Sequence, residues 1–202
     1  MKSVLLICLL LVPVITQAGL SFEQLEQLSR SPSALNGHFN QTKYLSALDV
    51  TLSSSGVFSY QRGSAIRWET RQPIQNTLLM TPASIINRQG EQELMRLEME
   101  ENPAARVLGE IFFAVLTAEW QALAAYFVLE GELEGELEGE LGDALEGERE
   151  GTQWHAVLRP VDSSVLQVVS RVDLVGDDLL REVVLHEQGG NRTTIRFDSL
   201  QP

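Results

Sequence analysis

Two blocks of period-two alternation, residues 35–99 and 153–198, flank one stretch of helical period at residues 103–116, and that order leaves few folds open. In the first block Val57, Ser59 and Gln61 alternate with Phe58, Tyr60 and Arg62, and Ile66 and Trp68 with Arg67 and Glu69, the pattern of a sheet with two unlike faces. Strand-like runs at 35–48, 50–53, 56–61, 65–70, 76–80, 84–87 and 93–99 are separated by Gly, Pro and Ser. The second block has runs at 154–160, 165–175, 179–187 and 192–198, joined by turn signals at 162–164, 176–178 and 189–191. In the run 165–175, Leu166, Val168, Val172 and Leu174 share a face that should meet the interior, leaving the other mostly to water.

Between the blocks, Asn102-Pro103 is a helix start, an N-cap followed by a proline whose missing amide costs nothing at that position. Val107, Leu108, Ile111, Phe112, Val115 and Leu116 then recur at helical spacing, a stripe that by itself reads as core. A second short helix is expected after Thr117 as N-cap, burying Trp120, Leu123 and Ala124. A short amphipathic helix with Phe22, Leu25 and Leu28 starts the chain, opened by a Ser21/Gln24 capping box and ended by Pro32. The pattern predicts a mainly β (α+β) fold, a long antiparallel meander whose sheet curls, with helices closing its concave side.

The N-terminus reads as an export signal. Lys2 precedes an apolar run at 4–14, and Thr16 and Ala18 are small residues where a signal peptidase inspects them, so cleavage is expected before Gly19. The run is too short to span a bilayer unaided. The single cysteine, Cys8, lies inside this signal, which removes disulfides, thiolate metal sites and a lipid-acceptor cysteine from consideration. Without Lys2, 14 basic residues stand against 28 acidic ones, a formal charge of about −14 that suits neither nucleic acid nor an anionic membrane surface. A signal at 1–18 and one domain at 19–202 are therefore expected, in a soluble, exported, acidic protein.

Residues 130–151 form a Glu-Gly-Glu-Leu tract in which ten acidic residues face Arg149 alone. Repulsion and glycine entropy oppose packing, and the tract lacks the spaced ligands of a calcium loop, so it reads as an acidic low-complexity insertion at a hairpin tip. His38, His155 and His186 fall on three separate strands without a second ligand at metal spacing. No G-x-S-x-G elbow and no glycine-rich strand-to-helix turn occurs. A non-enzymatic role follows, with no metal and no cofactor called for.

Phe39-x-Gln41, Gly56-Val57-Phe58-Ser59-Tyr60-Gln61-Arg62, Ile66-Arg67-Trp68 and Gln72-Pro73 together resemble the N-terminal half of the periplasmic outer-membrane lipoprotein carriers, the LolA family. Weaker similarity continues through Asn102-Pro103, Trp120 and Leu158-Arg159-Pro160. The resemblance implies an incomplete, curled antiparallel β-barrel with helices as a lid over an apolar cavity that receives acyl chains. It also implies that Arg62 bonds to the lid helices and acts as a latch, against the plainer reading of a solvent charge at a strand end. On this basis the cavity-lining residues would be Phe39, Phe58, Trp68, Leu79, Met80, Val107, Leu108, Ile111, Phe112 and Val115.

The implied function is a periplasmic, monomeric carrier for the acyl chains of lipoproteins or a related lipid, served by an inner-membrane releasing complex and an outer-membrane receptor. Gly63 stands where the family has proline after the arginine, the acidic insertion is foreign to the pattern, and the chain stops at Gln201-Pro202 where the main carriers continue. These departures keep open a different lipid or polyene-like cargo. They equally keep open a non-transporting, receptor-like scaffold that docks partners through its sheet exterior and acidic tract.

Overall fold

A computed structural model describes residues 20–133 and 153–202. The expected signal and most of the acidic insertion lie outside the described residues. Eleven strands form one antiparallel sheet: β1 Ala34–Leu45, β2 Val50–Gln61, β3 Ala65–Gln72, β4 Asn76–Met80, β5 Ser84–Gln89, β6 Gln92–Glu98, β7 Phe127–Leu133, β8 Trp154–Pro160, β9 Val169–Gly176, β10 Leu180–Glu187 and β11 Arg192–Gln201. Their spatial order is β6-β5-β4-β3-β2-β1-β11-β10-β9-β8-β7. Neighbours in sequence pair everywhere except between β6 and β7, and β1 closes on β11, so the sheet is two meanders joined at β1 and β11 and open between β6 and β7. The helix α2 Pro103–Thr117 and a 3-10 turn Trp120–Ala125 form the connection between those two free edges. The fold is mostly antiparallel β, an open curled sheet with few helices.

The N-terminal helix α1 Phe22–Leu28 has the expected capping box, Ser21 Oγ accepting from the Gln24 amide while Gln24 Oε1 accepts from that of Ser21. Ahead of it, the Leu20 amide donates to the Gly131 carbonyl at 3.0 Å, satisfying one group on the otherwise open edge strand β7. In α2, Asn102 Oδ1 accepts from the Ala105 amide at 3.0 Å and Pro103 takes the first helical position.

Four sequence expectations are corrected by local chemistry. The runs 50–53 and 56–61 are one strand, because the Ser/Gly segment between them is a close approach and not a turn. A Cβ on Gly56 would sit 1.9 Å from the Glu69 carbonyl oxygen, beside a register shift between β2 and β3. The run 165–175 begins as helix: Asp162 Oδ1 accepts from the Ser164 and Val165 amides and starts a single turn, α3 Ser163–Leu166, and the strand begins only at Val169. Thr117 ends α2 and caps nothing; its hydroxyl donates to the Phe113 carbonyl at 2.8 Å, and Ala118 turns left-handed with φ 54°. In the 3-10 turn Trp120 and Leu123 are fully buried, whereas Ala124 faces solvent.

The core lies on the concave face. Phe39, Phe58, Trp68 and Phe197 converge from β1, β2, β3 and β11, with Phe39 and Trp68 stacked at 4.0 Å between centroids and Phe58 edge-on to Phe197 at 5.2 Å. Such pairs add about 0.5–1.5 kcal/mol each beyond the area they bury. At the far end Trp120 meets Trp154 edge-on at 5.7 Å, and the Trp154 indole donates to the Asp177 carbonyl at 2.6 Å.

Candidate functional site

Above the aromatic floor, between α2 and the sheet, lies a cavity of about 380 Å³. Twenty residues line it, and Ser164 and Thr193 are the only hydroxyl-bearing or charged side chains among them. Helix α2 contributes Ala104, Val107, Leu108, Ile111, Phe112, Val115 and Leu116, the stripe that the helical period aims at the sheet. Trp68 meets Phe112 edge-on at 5.9 Å, joining floor to helix. The mouth is apolar: of the lining residues, Leu108 is 57% exposed and Val168 60%.

Six of the sequence-derived lining residues, Trp68, Val107, Leu108, Ile111, Phe112 and Val115, are on the cavity wall. Phe39 and Phe58 sit beneath it, packed against Trp68. Met80 is buried opposite Ile66 on the same face. Leu79 faces away: it pairs with Arg67 and Ile86, and the alternation that turns Met80 inward turns its neighbour outward. The sequence reading left out the far wall, made by Phe127, Leu158, Val169, Val172, Val183, Leu185, Ile195 and Phe197 together with Val165 and Val168 at α3. The apolar alternation in 165–175 and 193–197 carried the signal, but only closure of β1 on β11 brings those strands opposite α2.

Arg62 lies just past the end of β2 with its side chain 42% exposed, so it is not buried. Its Nη2 donates to the Ser31 carbonyl at 2.5 Å, to the Pro32 carbonyl at 3.3 Å and to the Ser31 hydroxyl. That hydroxyl in turn donates to the Thr117 carbonyl at the end of α2. Arg62 Nη1 lies 3.9 Å from the carboxylate of Glu119, which follows α2. The arginine thus reaches the helix chiefly through Ser31, a relay for which the sequence offered no signal. Tyr60 donates alongside to the Pro32 carbonyl at 2.7 Å, and burial raises its pKa above the usual phenol value.

A second, more open groove of about 640 Å³ flanks the other side of α2, where Arg62, Arg106, Glu100, Glu110 and Glu119 mix with Phe113 and Ala114. Tyr126 donates to Glu110 there, and burial together with that bond pushes its phenol up to about 12.

On the convex face two histidines read as lone converge on one acid. Asp173 is buried and accepts from Arg171 Nε at 2.9 Å; its oxygens lie 2.9 Å from His186 Nε2 and 3.3 Å from His155 Nε2. Burial alone would raise its pKa, but these partners outweigh burial and hold it at about 2. No group of three or more metal-ligating side chains is found among the described residues. Nor is any helix among them long and apolar enough to cross a membrane.

No curated protein matches the chain in sequence. Among solved structures, a LolA superfamily protein from Nitrosomonas europaea is similar at 8% identity and TM-score 0.44, covering 89% of this chain and 90% of that one. The Pseudomonas aeruginosa MucA/MucB complex contains a chain similar at 14% identity and TM-score 0.48, covering 89% of this chain and 56% of that one. Residues 30–137, from just after α1 through α2 and past the end of β7, match the family described as outer membrane lipoprotein carrier protein LolA, and the chain belongs to that family.

Proposed function

We propose that this protein is a periplasmic carrier that shelters the acyl chains of a lipoprotein, or of a related lipid, beneath α2 and moves them between membranes. It does so as a monomer and without catalysis, meeting a releasing complex at the inner membrane and a receptor at the outer one. The observation that carries the reading is the cavity wall, in which two hydroxyls are the only hydrogen-bonding side-chain groups apart from the Trp68 indole. A wall that offers almost no polar partner selects hydrocarbon, because any polar group placed against it loses its water without replacement.

A carrier must also let go. Burying acyl chains yields roughly 0.8 kcal/mol per methylene, so a lid that gained nothing on closing would leave the cargo trapped. The relay from Arg62 through Ser31 ties the end of α2 at Thr117 to the root of β1, and a cargo that must part α2 from the sheet has to break it. Arg62 is a latch in this sense: its bonds oppose loading and assist release. The alternative of a partner-docking scaffold drew on the acidic tract, most of which lies outside the described residues.

Native mass spectrometry of protein isolated from the periplasm tests the carrier role. Acylated material should co-purify and be displaced by a fluorescent acyl probe; protein that is always empty and does not bind the probe would refute the role.

A further inference from the structure

We infer that one end of the sheet, where the β1–β2 and β10–β11 turns and α3 gather, docks on a phospholipid bilayer. Exposed apolar side chains concentrate there: Leu48, Val50 and Leu52 on the β1–β2 hairpin, Ile74 after β3, and Leu166 and Val168 at α3 are 42–71% exposed. Val161 joins them past the end of β8, whereas Leu94, Met95 and Val128 lie along the two free edge strands and Leu108 on α2. Val168 also lines the cavity, so its mouth opens on the same side. The hairpin is braced: Ser46 Oγ donates to the Gly189 carbonyl at 2.7 Å and the Ser46 amide to Asn191 Oδ1 at 3.1 Å, tying it to the β10–β11 turn. Scattered apolar residues need no explanation, but a group of them held out on braced tips does. A fluid acyl layer receives such tips without a pocket shaped to fit them.

Just behind the tips, a row of arginines crosses the convex face. Arg171 of β9 pairs with His186 of β10, His186 with Arg192 of β11, and Arg192 with Tyr44 of β1. Arg159 follows Leu158, which pairs with Val172, and so continues the row onto β8. Like charges so placed repel. The carboxylates that relieve them, Asp173 at Arg171 and His186 and Glu130 at Arg159, lie on the side of the row away from the tips. A guanidinium matches the geometry of a phosphate. At about 3.3 Å per residue the row stands roughly 10 Å behind Leu48, comparable with one head-group layer of roughly 5–8 Å, so the tips reach acyl chains where the arginines meet phosphates. The carboxylates nearest the tips are already bonded: Asp49 accepts from Tyr44, Asp162 from the Ser164 and Val165 amides, and Glu187 from Lys43 and Asn191. The formal charge of about −14 belongs to the chain as a whole. Residues 134–152 hold eight acidic residues beside Arg149, half of that charge, and the chain enters and leaves them at Leu133 and Trp154, the other end of β7 and β8.

The chain without residues 1–18, which holds no cysteine, is mixed with vesicles of phosphatidylethanolamine and phosphatidylglycerol at about 0.15 M ionic strength and floated through a density step. It should float with the vesicles. Leu48→Ser with Val50→Ser should cut the bound fraction at least fivefold, and Arg159→Gln with Arg192→Gln at least threefold, while neither pair moves acyl-probe affinity more than twofold. A solvatochromic dye on Leu48→Cys should shift to the blue and be quenched by nitroxide-labelled lipid. The same dye on Ser64→Cys, in the β2–β3 turn at the other end of the sheet, should do neither. Unsubstituted protein that stays behind in the dense fraction, variants that float as well as it does, or equal quenching at the two sites would overturn the inference. So would a dimer that forms without lipid and is lost with Leu48→Ser and Val50→Ser, which would assign the tips to a second copy of the chain. The inference does not rest on the carrier reading: vesicle binding without acyl-probe binding sinks only the carrier, and probe binding without vesicle binding sinks only the docking.

Discussion

Arg62 and Asp173 do opposite kinds of work with the same interactions. Arg62 is half exposed and bonds to Ser31 and Pro32 at the root of β1, so its contacts contribute little to overall stability but bias where α2 ends. Arg62→Leu should therefore tighten acyl-probe binding by roughly 5–30-fold, through the loss of one or two charge-assisted hydrogen bonds that tie α2 to the root of β1, and slow probe release to match. Unchanged exchange kinetics would return Arg62 to a surface charge. Asp173 is buried among Arg171, His155 and His186, and its pKa of about 2 lies below the ordinary 3.8. A depressed carboxyl pKa adds stability above the unfolded value, here about 2 kcal/mol at neutral pH, which is lost as pH falls from about 5 to 2. Asp173→Asn should be less stable by that amount at pH 7 in urea unfolding, and the two proteins should converge near pH 2. An acid limb equally steep in the variant would contradict this. Spacing alone puts Arg171 and Asp173 on one face of β9, but the arrival of His155 and His186 from β8 and β10 is set by strand register and could not be read from spacing.

Among the elements, α2 presents two faces to two different cavities. Val107, Leu108, Ile111, Phe112 and Val115 line the enclosed cavity, and Arg106, Gly109, Glu110, Phe113 and Ala114 line the second groove, where charged and apolar side chains mix. Asn102→Ala removes the side chain that accepts from the Ala105 amide and should cost about 1 kcal/mol. If α2 is the moving part, hydrogen exchange in that variant should rise first at residues 103–117 while the amides of β1 and β2 stay protected; uniform acceleration would mean that the helix opens only with the whole fold. Helix α2 was legible because a proline start and a six-residue stripe coincide, and β3 and β8 because buried and less buried residues alternate along them. What misled was local chemistry with two uses. Ser-Gly at 55–56 serves as turn or as close approach, Asp162 as turn or as cap, and Thr117 as helix start or helix end, and in each case the neighbouring strand or helix decides. Leu79 was misassigned for a simpler reason, since a residue adjacent to Met80 on a strand cannot share its face.

The whole molecule is a sheet that would be a barrel if β6 met β7, with a lid running between those edges. This arrangement yields a cavity that can open without breaking a strand ladder, since α2 and the 3-10 turn are joined to the sheet by side chains and short connections. A ligand that binds only the folded state should raise stability by about 2.7 kcal/mol at a hundred times its dissociation constant, so monopalmitoylglycerol should shift the thermal midpoint upward in proportion to the logarithm of its concentration. Cargo chains held between α2 and the concave face would be within reach of a cross-linker carried on the chain itself. A palmitoyl chain carrying a diazirine at its terminal carbon, bound at one equivalent and photolysed, should form adducts mapped by peptide mass spectrometry to the wall around Trp68, Ile111, Phe112, Val172 and Phe197. Adducts concentrated instead on the convex face, at Leu79 or around Asp173, would contradict the account.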